Sequence, residues 1–269
     1  GEWPSHPKLL DALALSFTES GWDVKRLVRS IVLSKTYCQS SDATPEEYAS
    51  DPENRLMARG SRYRMDAEVI RDQLLMASGV LATRIGGPSV RPPQPAGITE
   101  VAYGGGGWKA DKGEDRYRRS LYTYAKRTAP FAMLSTFDGP SGEACIARRN
   151  RSNSPLQALT LLNDVMLLDL AAQAASQLTA TTAGNDAELM NTMFRRVLVR
   201  PPTDSELTSL LSFLTSQRQR FLAAPATAAE FLGITEAATD SESTSLADQA
   251  AWAATARALF GLDETLSRE

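Results

Sequence analysis

SPLQALTLLNDVMLLDL, residues 154–170, is the stretch whose reading decides the fold. Ser154 has the side chain of a helix cap, able to accept from the unpaired N–H groups of a first turn, and Pro155 sits where its missing N–H costs nothing. Leu156, Leu159, Leu162, Met166 and Leu170 then recur at steps of three and four, the period that lines one face of an α-helix. The spacing predicts one continuous helix, long enough to be a core element. Toward the carboxyl end a second helix is expected over 186–199, and Pro201-Pro202 separates it from the next. Thr203 and Glu206 form a capping box ahead of Leu207, Leu210, Leu211 and Leu214. A loop rich in Ala, Thr, Ser and Glu is expected over 224–245, and a last helix over 246–260.

Toward the amino end, Asp66 is the expected cap of a helix carrying Ile70, Leu74, Ala77 and Leu81, with Met65 and Ile70 spaced as a hydrophobic staple. Gly86-Gly87-Pro88 terminates that element. Further back, Ser5-His6-Pro7 reads as a Ser-capped helix start before Leu9, Leu10, Leu13 and Phe17. Gly21 ends this helix. Asp23 then caps a helix with Val24, Leu27, Val28 and Ile31 on one face and Lys25, Arg26 and Arg29 on the other, so a helical hairpin is expected. After a polar loop, Asp51-Pro52 is expected to open a short helical turn.

Residues 86–115 change character, with Pro at 88, 92, 93 and 95, then Tyr103, Gly104 to Gly107, and Trp108. A loop of that length in a compact domain is usually functional or mobile. Leu121, Tyr122, Thr123 and Tyr124 make 118–127 the best strand candidate. The expected fold is therefore mainly α, a multi-helix domain with a small β element around 118–127. No βα alternation points to a doubly wound sheet. A single domain over 1–269 is expected, divisible into a helical region over 1–85, a loop-rich basic region over 86–153 and a helical region over 154–269.

Composition narrows the function classes. The formal net charge of −3 and pI near 5.4 argue against a chain that coats nucleic acid. The positive charge is concentrated instead: 116–151 holds eight Lys/Arg against two acids, a local +6, leaving −9 on the remainder. No apolar run approaches the ~18 residues of a membrane span, and no stretch has the layout of a signal peptide. Cys38 and Cys145 permit one disulfide or two buried thiols, and lack the spacings of covalent haem attachment or a zinc knuckle.

Four constellations carry potential chemistry. Arg148, Arg149, Arg151 and Asn153 lead into Ser154, with Gln157, Thr160 and Asp164 at helical spacing beyond it. Guanidinium groups at a helix N-terminus suit an oxyanion such as sulfate, phosphate or carboxylate. The alternative is that these arginines pair with the acidic remainder of the domain. His6, the single histidine, is a candidate axial ligand or general base, or simply an element of a helix start. Trp108 beside the glycine run is a candidate stacking platform for a sugar or a partner, or belongs to a mobile surface loop; nucleotide-loop spacing is absent. Around Arg62, Arg64, Asp66, Glu68, Arg71 and Asp72, a lattice of ion pairs is expected, with Glu68 and Asp72 as the alternative acid/base or cation-binding pair. Asp138 and Asp164 are the acid/base candidates for a hydrolytic reading. No metal set is expected.

Several long blocks carry a resemblance: GEWPSHPKLLDALA (1–14), SGWDVKRLVRSIVLSKTYCQSS (20–41), DPENRLMARGSRYRMDAEVIRDQ (51–73), IGGPSV (85–90), YRRSLYTYAKRTAP (117–130), STFDGP (135–140), ARRNRSNSPLQALTLLND (147–164) and LDETLSRE (262–269). In these the chain resembles the Planctomycete-specific domain 1 family, a domain family of unknown function. The resemblance implies the carboxyl-terminal portion of a large exported protein, periplasmic, in the cell envelope or secreted, often following a cytochrome-c-like module and a second module of unknown function. Those modules are the implied partners. Haem is expected only in the neighbour, with no cofactor in this chain. Further family sequence normally precedes the first block, so an amino-terminally truncated domain with some of its packing surface missing is expected. Cys38 stands where the family pattern leads one to expect Arg, while Cys145 fits it. The functional expectation is a non-haem module of an exported redox protein that binds an anionic ligand, a sulfated or carboxylated glycan, near Arg148, Arg149 and Arg151. The alternatives are a structural or docking domain, and a hydrolytic or other carbohydrate-active enzyme.

Overall fold

The computed structural model describes residues 3–98, 107–234 and 243–268. Tyr103 and Gly104 to Gly106 of the glycine run lie outside the described residues. The chain divides into two compact units, one of residues 1–64 with 267–269 and one of residues 65–266. Among the described residues the protein is mainly α, with twelve α-helices and one small two-stranded sheet.

The first unit is built on a helical hairpin. Helix α1 spans Pro7–Glu19 and α2 spans Val24–Val32. Asp23 caps α2 as expected, accepting from the Arg26 N–H at 3.0 Å. Ser5 does not cap α1: His6 occupies the cap position without a side-chain bond to the helix, and Ser5 Oγ lies 3.0 Å from His6 Nδ1. Within the polar loop a short helix α3, Pro45–Ser50, is started by a reciprocal pair in which Thr44 Oγ1 accepts from Glu47 N and Glu47 Oε2 accepts from Thr44 N. The turn expected at Asp51-Pro52 is not helical. Asp51 accepts from both Arg55 N and Leu56 N at 2.8 Å, which closes a side-chain-to-backbone turn in place of a helical one. Strand β1, Tyr63–Arg64, pairs antiparallel with β2, Ser267–Arg268.

The second unit carries the hydrophobic core. Helix α4 spans Ala67–Ala77 and buries Ile70, Leu74 and Leu75. The continuous helix expected from 154 is two: α6, Pro155–Asn163, and α7, Val165–Thr181, meet at Asp164 with a bend of 51° (α5 is the short helix Ala132–Thr136). Asp164 leaves the helical conformation because its carboxylate accepts from Met166 N at 2.9 Å and caps the second helix. The break rotates the apolar stripe. Met166 and Leu170 are buried, whereas Leu156, Leu159 and Leu162 are exposed. No single described helix is long and apolar enough to cross a membrane.

Helix α8, Asp186–Leu198, begins at an Asn185–Glu188 capping box, and α9, Asp204–Ala223, at the expected Thr203–Glu206 box. The loop expected over 224–245 contains a helix, α10, Pro225–Phe231, whose proline occupies the first turn. Helix α11, Ser243–Phe260, packs on α7 and α9. Ala171, Ala174 and Ala175 on α7 and Ala247, Ala250, Ala251 and Ala256 on α11 are all buried, and their small side chains let the backbones approach closely around Trp252. A last turn, α12, covers Asp263–Leu266.

Residues 118–127 do not form a paired strand. They make a 3₁₀ turn at Ser120–Tyr122 and two isolated parallel bridges, Ala82 with Arg118 and Val90 with Thr123. The small β element is thus β1–β2. The reason is local: Arg118 turns inward, Leu121 is exposed, and side chains from other elements take the backbone groups that a neighbouring strand would need.

Candidate functional site

Two buried arginines, Arg71 of α4 and Arg118 of the basic segment, organise this part of the second unit. Arg71, expected to pair along its own helix with Glu68, points into the core and is fully buried. Its guanidinium donates to the carbonyl of Arg118 at 2.8 Å, the carbonyl of Arg116 at 3.0 Å and Ser120 Oγ at 3.3 Å, and its Nε–H meets Met166 Sδ. Burial holds its pKa down to about 10, against the attraction of Asp72 and Asp164. Arg118 is also buried, and donates to the carbonyls of Pro88, Arg84 and Gly86 with its guanidinium 3.8 Å from the Tyr122 ring centroid. Together they lace residues 84–90 and 116–120 to α4. Sequence reasoning missed this role, because an arginine at helix spacing from Glu68 carries no signal of facing inward.

Beside them, Arg116 and Tyr117 both donate to Asp169, at 2.5 and 2.8 Å. Burial and the bond to Asp169 push the Tyr117 hydroxyl up to about 12. The group is therefore a neutral donor throughout the physiological range.

The predicted ligand-binding residues are placed as follows. Arg149 forms a bidentate pair with Glu68 at 2.6 and 3.1 Å and lies 3.7 Å from Asp66. Arg148, Arg151 and Asn153 are exposed. Gln157 is buried, donates to the Thr136 carbonyl at 2.9 Å and accepts from Ser154 N at 3.3 Å, so Ser154 and Gln157 are joined at the start of α6. Trp108 stacks on Phe131 at 5.8 Å, and its indole N–H donates to the Pro92 carbonyl at 2.7 Å. The half-buried ring packs against the core.

The acid/base candidates are not brought together with one another. Asp138 accepts from Ser152 N at 2.8 Å and from Ser152 Oγ at 2.9 Å, tying the basic loop to the end of α5. Asp164 is buried at the α6–α7 break, and burial raises its pKa against the pull of the Met166 and Leu167 N–H groups and of Arg71. His6 is half-buried at the start of α1. Glu68 and Asp72 each hold a different arginine, Arg149 and Arg119. Cys38 and Cys145 are both free thiols and both exposed, not buried.

What remains uncommitted is apolar. Neither α1 nor α2 buries a single side chain, and Leu10, Leu15, Trp22, Val24, Val28 and Leu33 are each more than half exposed. Lys25, Arg26, Arg29 and Lys35 lie along the same helix and its end, with no acid between Val24 and Lys35. A groove of about 470 Å³ within this unit is walled by Leu9, Leu13, Ile31, Tyr37 and Met57, with the Arg268 guanidinium 4.1 Å from the Tyr37 ring centroid.

Residues 1–214 match the family described as PSD1, protein of unknown function (DUF1553). The chain belongs to that family. No curated protein and no solved structure matches it. Within this DUF1553 chain the matched residues hold both the exposed hairpin and the Arg71–Arg118 frame. The closing block LDETLSRE, with α10, α11 and α12, lies beyond the matched residues.

Proposed function

We propose that this DUF1553 chain is a docking module, which receives a protein surface on the apolar hairpin of its amino-terminal unit. The supporting observation is that no side chain of α1 or α2 is fully buried, while the hairpin presents Leu10, Leu15, Trp22, Val24, Val28 and Leu33 to solvent. Fully burying one Leu or Val side chain yields about 1.5–3 kcal/mol, so a partner that covers several of these side chains gains from each. The row of Lys25, Arg26, Arg29 and Lys35 selects a surface with an apolar centre and an acidic rim. In the exported redox setting that the family resemblance implies, the occupant is a neighbouring module of the same protein, with any haem held there.

Calorimetric titration with that neighbouring module tests the reading. Val28→Asp and Leu10→Asp should each weaken binding at least tenfold while leaving the melting of the second unit unchanged. Equal affinity of wild type and both variants would overturn the proposal. A second reading keeps an anionic glycan at Arg148 and Arg151, and rests on the exposure of both side chains just ahead of α6. Salt-sensitive binding of sulfated or uronic glycans, abolished in an Arg148/Arg149/Arg151 triple Ala variant, is its requirement; a neutral glycan binding equally well counts against it.

A further inference from the structure

The second unit has a groove in which two arginines stand beside an apolar wall, with no carboxylate among the described residues that line it. It measures about 220 Å³ and is walled by Leu162 of α6, Phe213 of α9, Phe231 of α10 and Ala254 of α11, with Arg220 and Arg257 at its edge. Elsewhere in this unit Arg116, Arg149, Arg200 and Arg218 are each paired with Asp or Glu. Arg220 donates to Gln217 Oε1 at 3.4 Å and lies 5.5 Å from the Phe221 ring centroid, while Arg257 lies 5.6 Å from that of Phe231. No carboxylate is paired with either among the described residues. Burial and the like charge of Arg220 hold Arg257 below the ordinary arginine range, which an anion between them would reverse.

We infer that this groove binds a small amphipathic carboxylate, Arg220 and Arg257 taking the oxyanion and Phe213, Phe231 and Leu162 the apolar body. Two guanidinium forks favour a planar carboxylate, and the volume limits the ligand to roughly the size of one ring, below the ~300 Å³ of ordinary small-molecule pockets. Both arginines also lie in the last turns of their helices, where a cation balances the helix dipole. That role does not require them to share a groove.

Benzoate, benzyl alcohol and inorganic phosphate, titrated into the whole chain and followed by ligand-observed NMR, separate the possibilities. Benzoate should bind in the millimolar range or tighter, with benzyl alcohol and phosphate each at least tenfold weaker. Losing one charged hydrogen-bond partner is worth about ten- to a hundredfold. Arg257→Gln should therefore weaken benzoate at least tenfold, and Arg220→Gln, at the exposed edge, should do the same without risk to folding. Absent benzoate binding, benzyl alcohol binding equally, or phosphate binding equally would overturn the inference. So would variants that lower the melting temperature with benzoate affinity intact. The site is in the second unit, so its failure leaves the docking proposal standing.

Discussion

Arg71→Met removes the charge at the centre of the second unit while nearly preserving its volume. The cost is set by what stays behind. The carbonyls of Arg116 and Arg118, which accept from Arg71 at 3.0 and 2.8 Å, are left in the core without a donor. Each unsatisfied buried group costs about 1–3 kcal/mol, and relief of the arginine's own desolvation offsets some of the total, giving a net loss of about 2–5 kcal/mol. Arg71→Lys keeps a charge but cannot span both carbonyls, and should fall between wild type and Met. Urea unfolding followed by far-UV circular dichroism measures this. With m near ~2–3 kcal/mol/M for a unit of this size, the Met variant should lose about 1–2 M in midpoint without a change in m. A Met variant as stable as wild type, with Lys less stable than both, would refute the reasoning. It would mean that the carbonyls are hydrated and that the charge is only a burden.

Two further outcomes follow from the ion pairs. Glu206 is held at about 2, below its ordinary 4.5, first by the bond from Arg200 and then by Thr203 N. A depressed carboxylate contributes stability above its unfolded pKa and loses it as pH falls through the folded one, so melting temperature should drop between about pH 4.5 and 2. Glu206→Gln can keep the capping bond to Thr203 N and should flatten that dependence in a pH series of melts. In a double-mutant cycle on urea midpoints, Arg149→Ala and Glu68→Gln should couple by up to about 1 kcal/mol, since the pair is about a third exposed. Additive effects would show that Arg149 is available to other anions.

The helical class, the Asp23 cap and the Thr203–Glu206 box are legible in the sequence because each depends on neighbours within one turn. The break at Asp164 is not, since Leu162, Met166 and Leu170 keep helical spacing across it and only the side-chain cap reveals the bend. The strand expected at 118–127 fails for a related reason. Leu121-Tyr122-Thr123-Tyr124 has strand propensity, but a strand needs a partner, and Arg71 and Asp72 occupy the neighbouring backbone groups. For the site, sequence locates the concentration of positive charge but not its direction. Inward Arg71 and Arg118 look the same in a charge count as outward Arg148. The hairpin's amphipathic pattern reads as a core face, and its exposure can only come from the three-dimensional arrangement.

Oxidative footprinting of the chain alone and together with the proposed neighbouring module tests the docking account most directly. Leu10, Leu15, Trp22, Val28 and Leu33 should be labelled several-fold less when the module is present, while Met76 and Leu121, exposed in the second unit, are labelled equally in both. Equal labelling of the hairpin in the two samples would contradict the account.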